Sequence, residues 1–360
     1  MNIEERVELI SRRPVVEVVT EQELRELLSN TSDPVAYNGF EPSGPMHIGT
    51  GLVVALKVKD FAEAGVKFKL LLATWHAKLN GKLGGDMDKI HEVAEYFIEG
   101  WKAFGLDPAK VDFIFAEDLI SQTEYWELLL KISERITHSS VVRALPIMGR
   151  TQTETLRFGS YIYPLMQVTD IFMLGARITQ LGMDQRKANM LAREVGSALG
   201  KFTPVAAHHH LLAGLQGPAK MGYDENPVID TQISSKMSKS RPETAIWVHD
   251  TEEDIRRKIR GAFCPERQLD PNPVMEYARY LILRRNDDLL EINRPAHKGG
   301  PISVSLPELE ALYSQGAIHP LDLKDAVSDR VVAMLEPARK ALAHRFEKIR
   351  AYIEKPGQLK

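Results

Sequence analysis

The sequence predicts an α/β fold, in which a doubly wound parallel sheet is followed by a domain made only of helices. Strand-like and helix-like segments alternate over roughly residues 30–215, which is typical of parallel strands joined by helical crossovers. From about residue 245 only helical patterns continue. We therefore expect two domains, joined by a segment at 216–245 that is rich in Gly, Ser, Lys and Pro.

The predicted strands and helices alternate along the first domain. Residues 1–29 have the pattern of amphipathic helix, and VAYNGF has that of the first strand. Apolar residues at helical spacing follow from Leu52, and KFKLLLATWHA from Lys67 has the pattern of a buried strand. The later strands are VDFIFAE, ARITQLG and TPVAAHHHLL, with helices between them. Ser121 and Glu124 have the spacing of a capping box that opens one of these helices.

Composition and charge narrow the class of protein. The net charge is −3, so any nucleic acid must bind to local patches rather than to a general basic field. Cys264 is the single cysteine, which excludes an internal disulfide and predicts a cytoplasmic protein. The first residues are charged and no apolar run has the length of a membrane span, so we expect neither secretion nor membrane insertion.

Two familiar phosphate-binding motifs are missing from the sequence. No G-x-x-x-x-G-K-[ST] string occurs, which disfavours a P-loop enzyme. Gly49 and Gly51 begin a G-x-G-x-x-G pattern, but Val54 stands where the third glycine belongs. A dinucleotide-dependent dehydrogenase is therefore disfavoured as well.

Two other short motifs indicate a different nucleotide chemistry. The turn GFEPSGPMHIGT at 39–50 opens the helix after the first strand, and KMSKS at 236–240 lies in the long segment after the last strand. Either motif alone is weak evidence, since KMSKS could be a solvated basic loop. Together they resemble the HIGH and KMSKS signatures of class I aminoacyl-tRNA synthetases. Thr50 stands where that family has its second histidine.

The chemistry of the two motifs favours ATP as a substrate. His47 can donate to a phosphate oxygen, and Lys236 and Lys239 can close over a triphosphate as charge develops on the leaving pyrophosphate. We expect these three residues to be catalytic, with the carboxylate of the amino acid as nucleophile. Mg²⁺ is expected to arrive bound to ATP, without a metal held by the protein. The residues expected at ATP are Gly39, Gly44, His47, Gly49, Thr50, Gly182, Asp184, Lys236 and Lys239.

One helical string, YIYPLMQVTD, carries the expected amino-acid specificity. Tyr163, Gln167 and Asp170 are spaced i, i+4 and i+7, so they share one face of a helix, although that face could be merely solvated. With GMDQRK after the next strand, the string resembles the tyrosyl-tRNA synthetases of archaea and eukaryotes. The resemblance implies that Tyr37 and Asp170 hold the phenol of tyrosine, that Tyr163, Gln167 and Gln185 surround its ammonium, and that Asp184 takes the ribose.

The resemblance implies a reaction and leaves two alternatives. The enzyme would activate L-tyrosine with ATP to tyrosyl-adenylate and transfer the tyrosyl group to the 3′-terminal adenosine of tRNA(Tyr). Tryptophanyl-tRNA synthetases share the fold and both signatures, and an indole N–H also needs an acceptor such as Asp170. A synthetase-like RNA-binding protein without catalysis is the other alternative, but degraded signatures would then be expected.

The resemblance also implies a domain organisation. It comprises an N-terminal helical segment at 1–29, a Rossmann-like catalytic domain at 30–215, a KMSKS linker at 216–245 and a helical anticodon-binding domain at 246–360. An insertion at about 118–160 would form a homodimer. Its interface would contain Val141, Val142, Leu145 and Met148, unless these side chains are buried within one chain.

The expected contacts with the anticodon lie in the helical domain. Asp322 matches the acidic contact to the first anticodon base, although it could simply cap the helix that follows. His297 stands where some relatives have a residue that stacks on a base.

The sequence also allows some statements about residues outside the two motifs. The histidines at 208–210 are consecutive on a strand, where side chains alternate between faces, so we do not expect them to bind one metal ion. By the resemblance, Leu71 and Ala73 would line the wall around the tyrosine ring. His76 is either a neighbour of that pocket or a core histidine with satisfied hydrogen bonds.

Overall fold

A six-stranded sheet forms the centre of the molecule. The structure is a computed structural model that describes residues 1–149, 156–219, 226–237 and 242–352. The strands are β1 Val15–Val19, β2 Val35–Phe40, β3 Lys67–Leu72, β4 Val111–Phe115, β5 Ile178–Gly182 and β6 Val205–His209. They lie in the order β1-β6-β5-β2-β3-β4. All neighbours pair in parallel except β1, which pairs antiparallel with β6. The doubly wound α/β fold is thus confirmed, with one antiparallel edge.

Helices cover the sheet and build the second half of the chain. Those before the linker are α1 Ile3–Ser11, α2 Glu21–Asn30, α3 Val54–Glu63, α4 Thr74–Leu79, α5 Met87–Ala103, α6 Ala116–Ile120, α7 Thr123–Ser133, α8 His138–Ala144, α9 Gly159–Met173 and α10 Arg186–Ala198. The later ones are α11 Pro227–Ser235, α12 Glu252–Arg260, α13 Pro273–Tyr277, α14 Leu306–Gln315, α15 Pro320–Ala341 and α16 Phe346–Arg350. Within the described ranges, every helix is too short or too polar to cross a membrane.

The N-terminal segment 1–29 is not purely helical, contrary to the sequence-based expectation. Strand β1 separates α1 from α2. Pro14 cannot continue a helix, and the VVEVV run after it is rich in β-branched residues that favour an extended chain. The run finds its partner at the edge of the sheet, where Val15 pairs with His209.

Three local predictions are wrong for identifiable reasons. KFKLLLATWHA is strand only as far as Leu72, where the paired strands β2 and β4 also end, and the rest begins α4. Ser121 and Glu124 form no capping box, because α7 begins after Gln122 and has no side-chain cap. The second domain is not made only of helices: β7 Leu290–Ile292 and β8 Ile302–Val304 form an antiparallel hairpin. Strands of three residues are too short to give a recognisable alternating pattern.

The two predicted domains share one apolar core. A single cluster of buried side chains runs from Val7 in α1 through the sheet to Ile349 in α16. Trp101 of α5 is fully buried in it and packs on Phe40 at the end of β2, with ring centroids 5.1 Å apart. Helix α15 of the second domain packs against α5, so burial of this continuous core fixes the two domains against each other.

Candidate active site

A cavity of about 610 Å³ opens where β2, β5 and β6 end. Crevices at the carboxyl ends of parallel strands are the usual ligand sites of such sheets. The predicted site residues that line the cavity are Tyr37, Gly39, His47, Gly49, Thr50, Tyr163, Gln167, Asp170, Gly182, Asp184, Gln185 and Lys236. Leu71 and Ala73 line it as well. Lys239 lies outside the described residues.

Gly44 does not line the cavity, although it was expected beside ATP. Its φ of +115° is a conformation that favours glycine. A Cβ at this position would lie 3.3 Å from the carbonyl oxygen of Tyr352, near the end of the described chain. Gly44 therefore shapes the turn and admits the backbone of Tyr352, which itself lines the cavity.

One end of the cavity is a buried cluster around Asp170 of α9. The hydroxyl of Tyr125 donates to Oδ1 of Asp170 at 3.0 Å. Burial raises the pKa of Asp170 to about 8, although the hydrogen bond from Tyr125 acts in the opposite direction. Burial also raises the pKa of Tyr37, and the nearby Asp170 raises it further. At neutral pH the cluster is a set of uncharged hydroxyl and carboxyl groups, suited to a ligand hydroxyl in an otherwise apolar pocket.

His76 belongs to this end of the cavity. Its ring stands edge-on to Tyr163, with centroids 4.7 Å apart, and Nε2 lies 3.3 Å from Oδ2 of Asp170. The geometry is not that of a hydrogen bond, and neither ring nitrogen has a hydrogen-bond partner in the part of the chain that the structure describes. Burial lowers the pKa of His76 to about 4, so the ring is neutral. The structure favours a pocket neighbour over a satisfied core histidine.

Beyond the ring of Tyr163 the cavity becomes polar. Burial and the carboxylate of Glu41 both raise the pKa of Tyr163, whose hydroxyl is hydrogen bonded to Glu41. Asn80 donates to the same carboxylate at 2.9 Å. Gln167 and Gln185 line the same cavity, and Nε2 of Gln167 donates to Gln185 at 3.3 Å. A carboxylate and two amides in one cavity form a suitable environment for an ammonium group.

The turn at 39–50 is held by its own side chains and by the chain that follows the linker. Nδ1 of His47 accepts from the backbone N–H of Gly49 at 3.1 Å and of Thr50 at 3.3 Å. The hydroxyl of Thr50 donates to the carbonyl of His47 at 3.2 Å. His47 also forms an antiparallel bridge with Trp247. The Thr50 hydroxyl thus stabilises the turn while its residue lines the cavity.

The other end of the cavity contains the first lysine of KMSKS. The ammonium of Lys236 donates to Oδ2 of Asp184 at 2.6 Å. Burial raises the pKa of Asp184, but Lys236 outweighs it and leaves the pKa below its ordinary value. Gly182 lies so close that a Cβ there would meet Oδ1 of Asp184 at 2.6 Å. The ionised carboxylate can accept from hydroxyl groups of a nucleotide sugar, and the lysine can reach an anionic ligand.

The three consecutive histidines serve different partners, as the alternation of a strand predicts. His208 bonds Glu17 at 2.7 Å on one side of β6, whereas His209 bonds Gln180 at 2.7 Å beneath the cavity. His210, just past the strand, bonds Glu276 at 2.9 Å. Among the described residues no group of His, Cys, Asp and Glu is arranged to hold a metal ion.

The structure changes two expectations, one for the dimer interface and one for the anticodon contacts. Val141, Leu145 and Met148 are buried within one chain, so these three side chains are not available for a two-fold interface. His319, not Asp322, provides the side-chain cap of α15. Oδ2 of Asp322 has no hydrogen-bond partner within the described ranges, and His297 is exposed in a short turn.

Sequence reasoning missed several residues that contact the predicted site. Tyr125 and Glu41 are the most important, since each forms a hydrogen bond with a predicted ligand-binding residue. Tyr125 lies on α7, far from α9 in sequence, and no local motif marks it. Glu41 could have been noticed, because it is the one acidic residue in the turn at 39–50.

Comparisons with known proteins identify the family. The family model described as tRNA synthetases class I (W and Y) matches residues 29–336. The chain therefore belongs to the class I aminoacyl-tRNA synthetases for tryptophan and tyrosine, and its relatives place it in the tyrosine–tRNA ligase branch. A tyrosine–tRNA ligase of Aeropyrum pernix is 46% identical over 95% of this chain and 94% of its own length. Another, of Pyrococcus furiosus, is 42% identical over 94% of this chain and 95% of its own length.

Solved structures agree with the assignment to the tyrosine branch. A crystal structure of tyrosyl-tRNA synthetase complexed with L-tyrosine, from Pyrococcus horikoshii, matches with a TM-score of 0.90 and 40% identity, over 98% of this chain and 100% of that one. A tryptophanyl-tRNA synthetase from Aeropyrum pernix matches with a TM-score of 0.67 at 18% identity, which shows a common fold alone.

Proposed function

We propose that this chain activates L-tyrosine with ATP, releases pyrophosphate, and transfers the tyrosyl group to the 3′-terminal adenosine of tRNA(Tyr). One observation supports the proposal most: a single cavity joins the Asp170 cluster at one end to the Lys236–Asp184 pair at the other. An aromatic amino acid with a hydroxyl group fits the first end, and a nucleotide fits the second.

The phenol of tyrosine would bind between Tyr37 and Asp170. Both groups are buried, and a ligand hydroxyl would donate to one and accept from the other. Phenylalanine would leave these polar groups unpaired and would be rejected on that account. At the polar end, Gln167, Gln185 and Tyr163 would surround the ammonium of the amino acid. Glu41, already bonded to Tyr163, would add a negative charge there.

The reaction needs no nucleophile from the protein. The carboxylate of tyrosine would attack the α-phosphorus of ATP, forming an oxygen–phosphorus bond as the bond to pyrophosphate breaks. His47 and Lys236 would stabilise the charge on the phosphates, and Lys239 would join them from the rest of KMSKS. Gly39, Gly49 and Gly182 would let the nucleotide approach the backbone. Mg²⁺ would enter with ATP as part of the substrate.

The helical domain would read the anticodon. The carboxylate of Asp322 would accept from the amino group of a base, since His319 provides the cap of α15 instead. Arg294 donates to the carbonyl of Ala317 at 3.1 Å, which ties the turn carrying His297 to the segment before α15. His297 would stack on a neighbouring base.

We also propose a cytoplasmic homodimer, formed through the region at 118–160. Two apolar side chains of α7, Trp126 and Leu130, are 46% and 62% exposed and lie one helical turn apart. Phe158, just before α9 and within the same region, is 79% exposed. These side chains, rather than Val141, Leu145 and Met148, would form the two-fold contact. Leu130→Glu would then yield monomers in sedimentation, and a dimer that persists would contradict this surface.

Exchange of labelled pyrophosphate into ATP tests the proposal. We expect exchange that depends on tyrosine, with little activity on tryptophan or phenylalanine, and charging of tRNA(Tyr). Asp170→Ala should lower the preference for tyrosine over phenylalanine. Absence of exchange with any amino acid would favour the RNA-binding alternative, and equal exchange with tryptophan would contradict the assigned specificity.

A further inference from the structure

The loop that carries Lys236 is held at its base by residues around the end of β6. The backbone of Lys236 forms an antiparallel bridge with Ala213. Two backbone hydrogen bonds flank this bridge: Gly214 donates to Ser235 at 2.7 Å, and Met237 donates to Leu212 at 3.2 Å. The position of the catalytic ammonium therefore depends on where residues 212–214 lie.

One carboxylate of the helical domain fixes that segment. Oε2 of Glu276, on α13, accepts from the backbone N–H of Ala213 at 2.9 Å. The same oxygen lies 2.9 Å from Nε2 of His210. Glu276 is 9% exposed, so this carboxylate is removed from water and its two contacts replace hydration. A buried carboxylate bonded to a backbone N–H constrains that N–H strongly.

Neighbours of Glu276 strengthen the same connection. Tyr280 stacks on His210, with ring centroids 4.2 Å apart and planes inclined by 22°. The hydroxyl of Tyr277 lies 3.8 Å from the sulfur of Met237, the second residue of KMSKS. The segment after Asn272 thus contacts both the residues at the end of β6 that hold the loop and Met237 of the KMSKS motif. None of the residues in this segment needs to touch a substrate.

We propose that Glu276 is a positioning residue for amino-acid activation, which holds Lys236 at the phosphates through Ala213. The inference rests on the proposed function, because it gives Lys236 its catalytic role. It also connects α13 of the helical domain with the signature loop. Loss of the carboxylate would leave the tyrosine pocket unchanged and would displace Lys236.

Pyrophosphate exchange at saturating tyrosine tests the proposal with three variants. Glu276→Ala should lower kcat at least 30-fold, and calorimetry should show a tyrosine Kd within threefold of wild type. Glu276→Asp keeps the charge but withdraws it by one methylene, and we expect about a tenfold lower kcat. Glu17→Ala is the matched control, because it removes the carboxylate bound to His208 on the same strand, away from the loop. We expect this control to keep kcat within threefold.

Each outcome has one meaning. An unchanged kcat in folded Glu276→Ala would overturn the proposal, as would equal losses in Glu276→Ala and Glu17→Ala. If Glu276→Ala does not fold, Glu276→Asp decides, and an unchanged kcat in that variant overturns the proposal. Failure of the wild-type protein to exchange with tyrosine would instead contradict the proposed function. In that case, loss of hydrogen-exchange protection at Ala213 and Met237 in Glu276→Asp still tests whether Glu276 holds the loop.

Discussion

The ammonium of Lys236 lies 2.6 Å from the carboxylate of Asp184, so the first lysine of KMSKS is bound to a residue that follows β5 at the end of the sheet. The pair places a positive group beside the expected ribose site. A nucleotide would have to share or replace this contact. The charge of the pair therefore affects the binding of ATP more than the binding of tyrosine.

Asp184→Ala should weaken the use of ATP. Removing one partner of a largely buried, hydrogen-bonded ion pair costs about 2–5 kcal/mol, so we expect kcat/KM for ATP in pyrophosphate exchange to fall about 100-fold. The tyrosine Kd should stay within threefold. Glu310→Ala is a suitable control, since it removes the carboxylate of an Arg279 pair at 2.7 Å outside the cavity. Equal losses for ATP and tyrosine would contradict the assignment of Asp184 to the nucleotide end.

Asp170→Asn should remove a pH dependence of stability. The folded-state pKa of Asp170 is about 8, above the unfolded value of 3.8. Between these two pH values the folded protein therefore keeps a proton that the unfolded chain has lost. The contribution of this carboxyl to the free energy of unfolding is full below about pH 4. It is lost as pH rises towards 8, by at most about 1.4 kcal/mol per pH unit.

Urea unfolding at about pH 5 and about pH 8 measures this effect. The free energy of unfolding of the wild type should fall more between the two pH values than that of Asp170→Asn. Parallel changes in the two proteins would show that Asp170 is ionised in the fold.

His76→Phe should be tolerated, whereas His76→Ala should not. The ring of His76 is buried and neutral and packs against Tyr163, and it has no hydrogen bond in the described part of the chain to lose. We expect the free energy of unfolding to fall by less than about 1.5 kcal/mol in His76→Phe and by about 2–5 kcal/mol in His76→Ala. Denaturant unfolding provides both values. Comparable losses in the two variants would indicate a polar role for the imidazole.

Lys57→Met should destabilise the fold strongly. The ammonium of Lys57 is fully buried and donates to the carbonyls of Leu9 and Ile10 and to Asp60, at 3.0–3.1 Å. Removing it leaves the two buried carbonyls without this donor, at a cost of about 1–3 kcal/mol each, whereas Asp60 keeps its contacts with Arg12 and Arg284. Lys59→Met, on the same helix α3, is the control and should cost less than about 1 kcal/mol. Similar unfolding midpoints for the two variants would contradict the prediction.

The sequence predicted the parts of the site that depend on local patterns. The spacing of Tyr163, Gln167 and Asp170 placed all three on one face of a helix, and the structure shows them lining one cavity. The order of strands and helices likewise placed the turn at 39–50 and the segment after β5 at the same edge of the sheet. Both inferences need only the periodicity of a helix and the direction of parallel strands.

The parts that sequence reasoning missed depend on contacts between distant segments. Tyr125 reaches Asp170 from another helix, 45 residues away in sequence. Burial, not a motif, makes Asp170 neutral and His76 neutral, and burial follows from the packing of the whole domain. Strand β1 could have been predicted from Pro14 and the β-branched VVEVV run, but its place at the edge of the sheet depends on pairing with β6.

The antiparallel edge strand has a consequence for synthesis of the chain on the ribosome. Glu17 of β1 bonds to His208 of β6, 191 residues later in the sequence. Until β6 has left the ribosomal tunnel, the VVEVV segment has no strand to pair with and presents a short apolar edge. Contacts of such long sequence separation also form slowly. We therefore infer that β1 joins the sheet late in translation, after residue 209 has emerged.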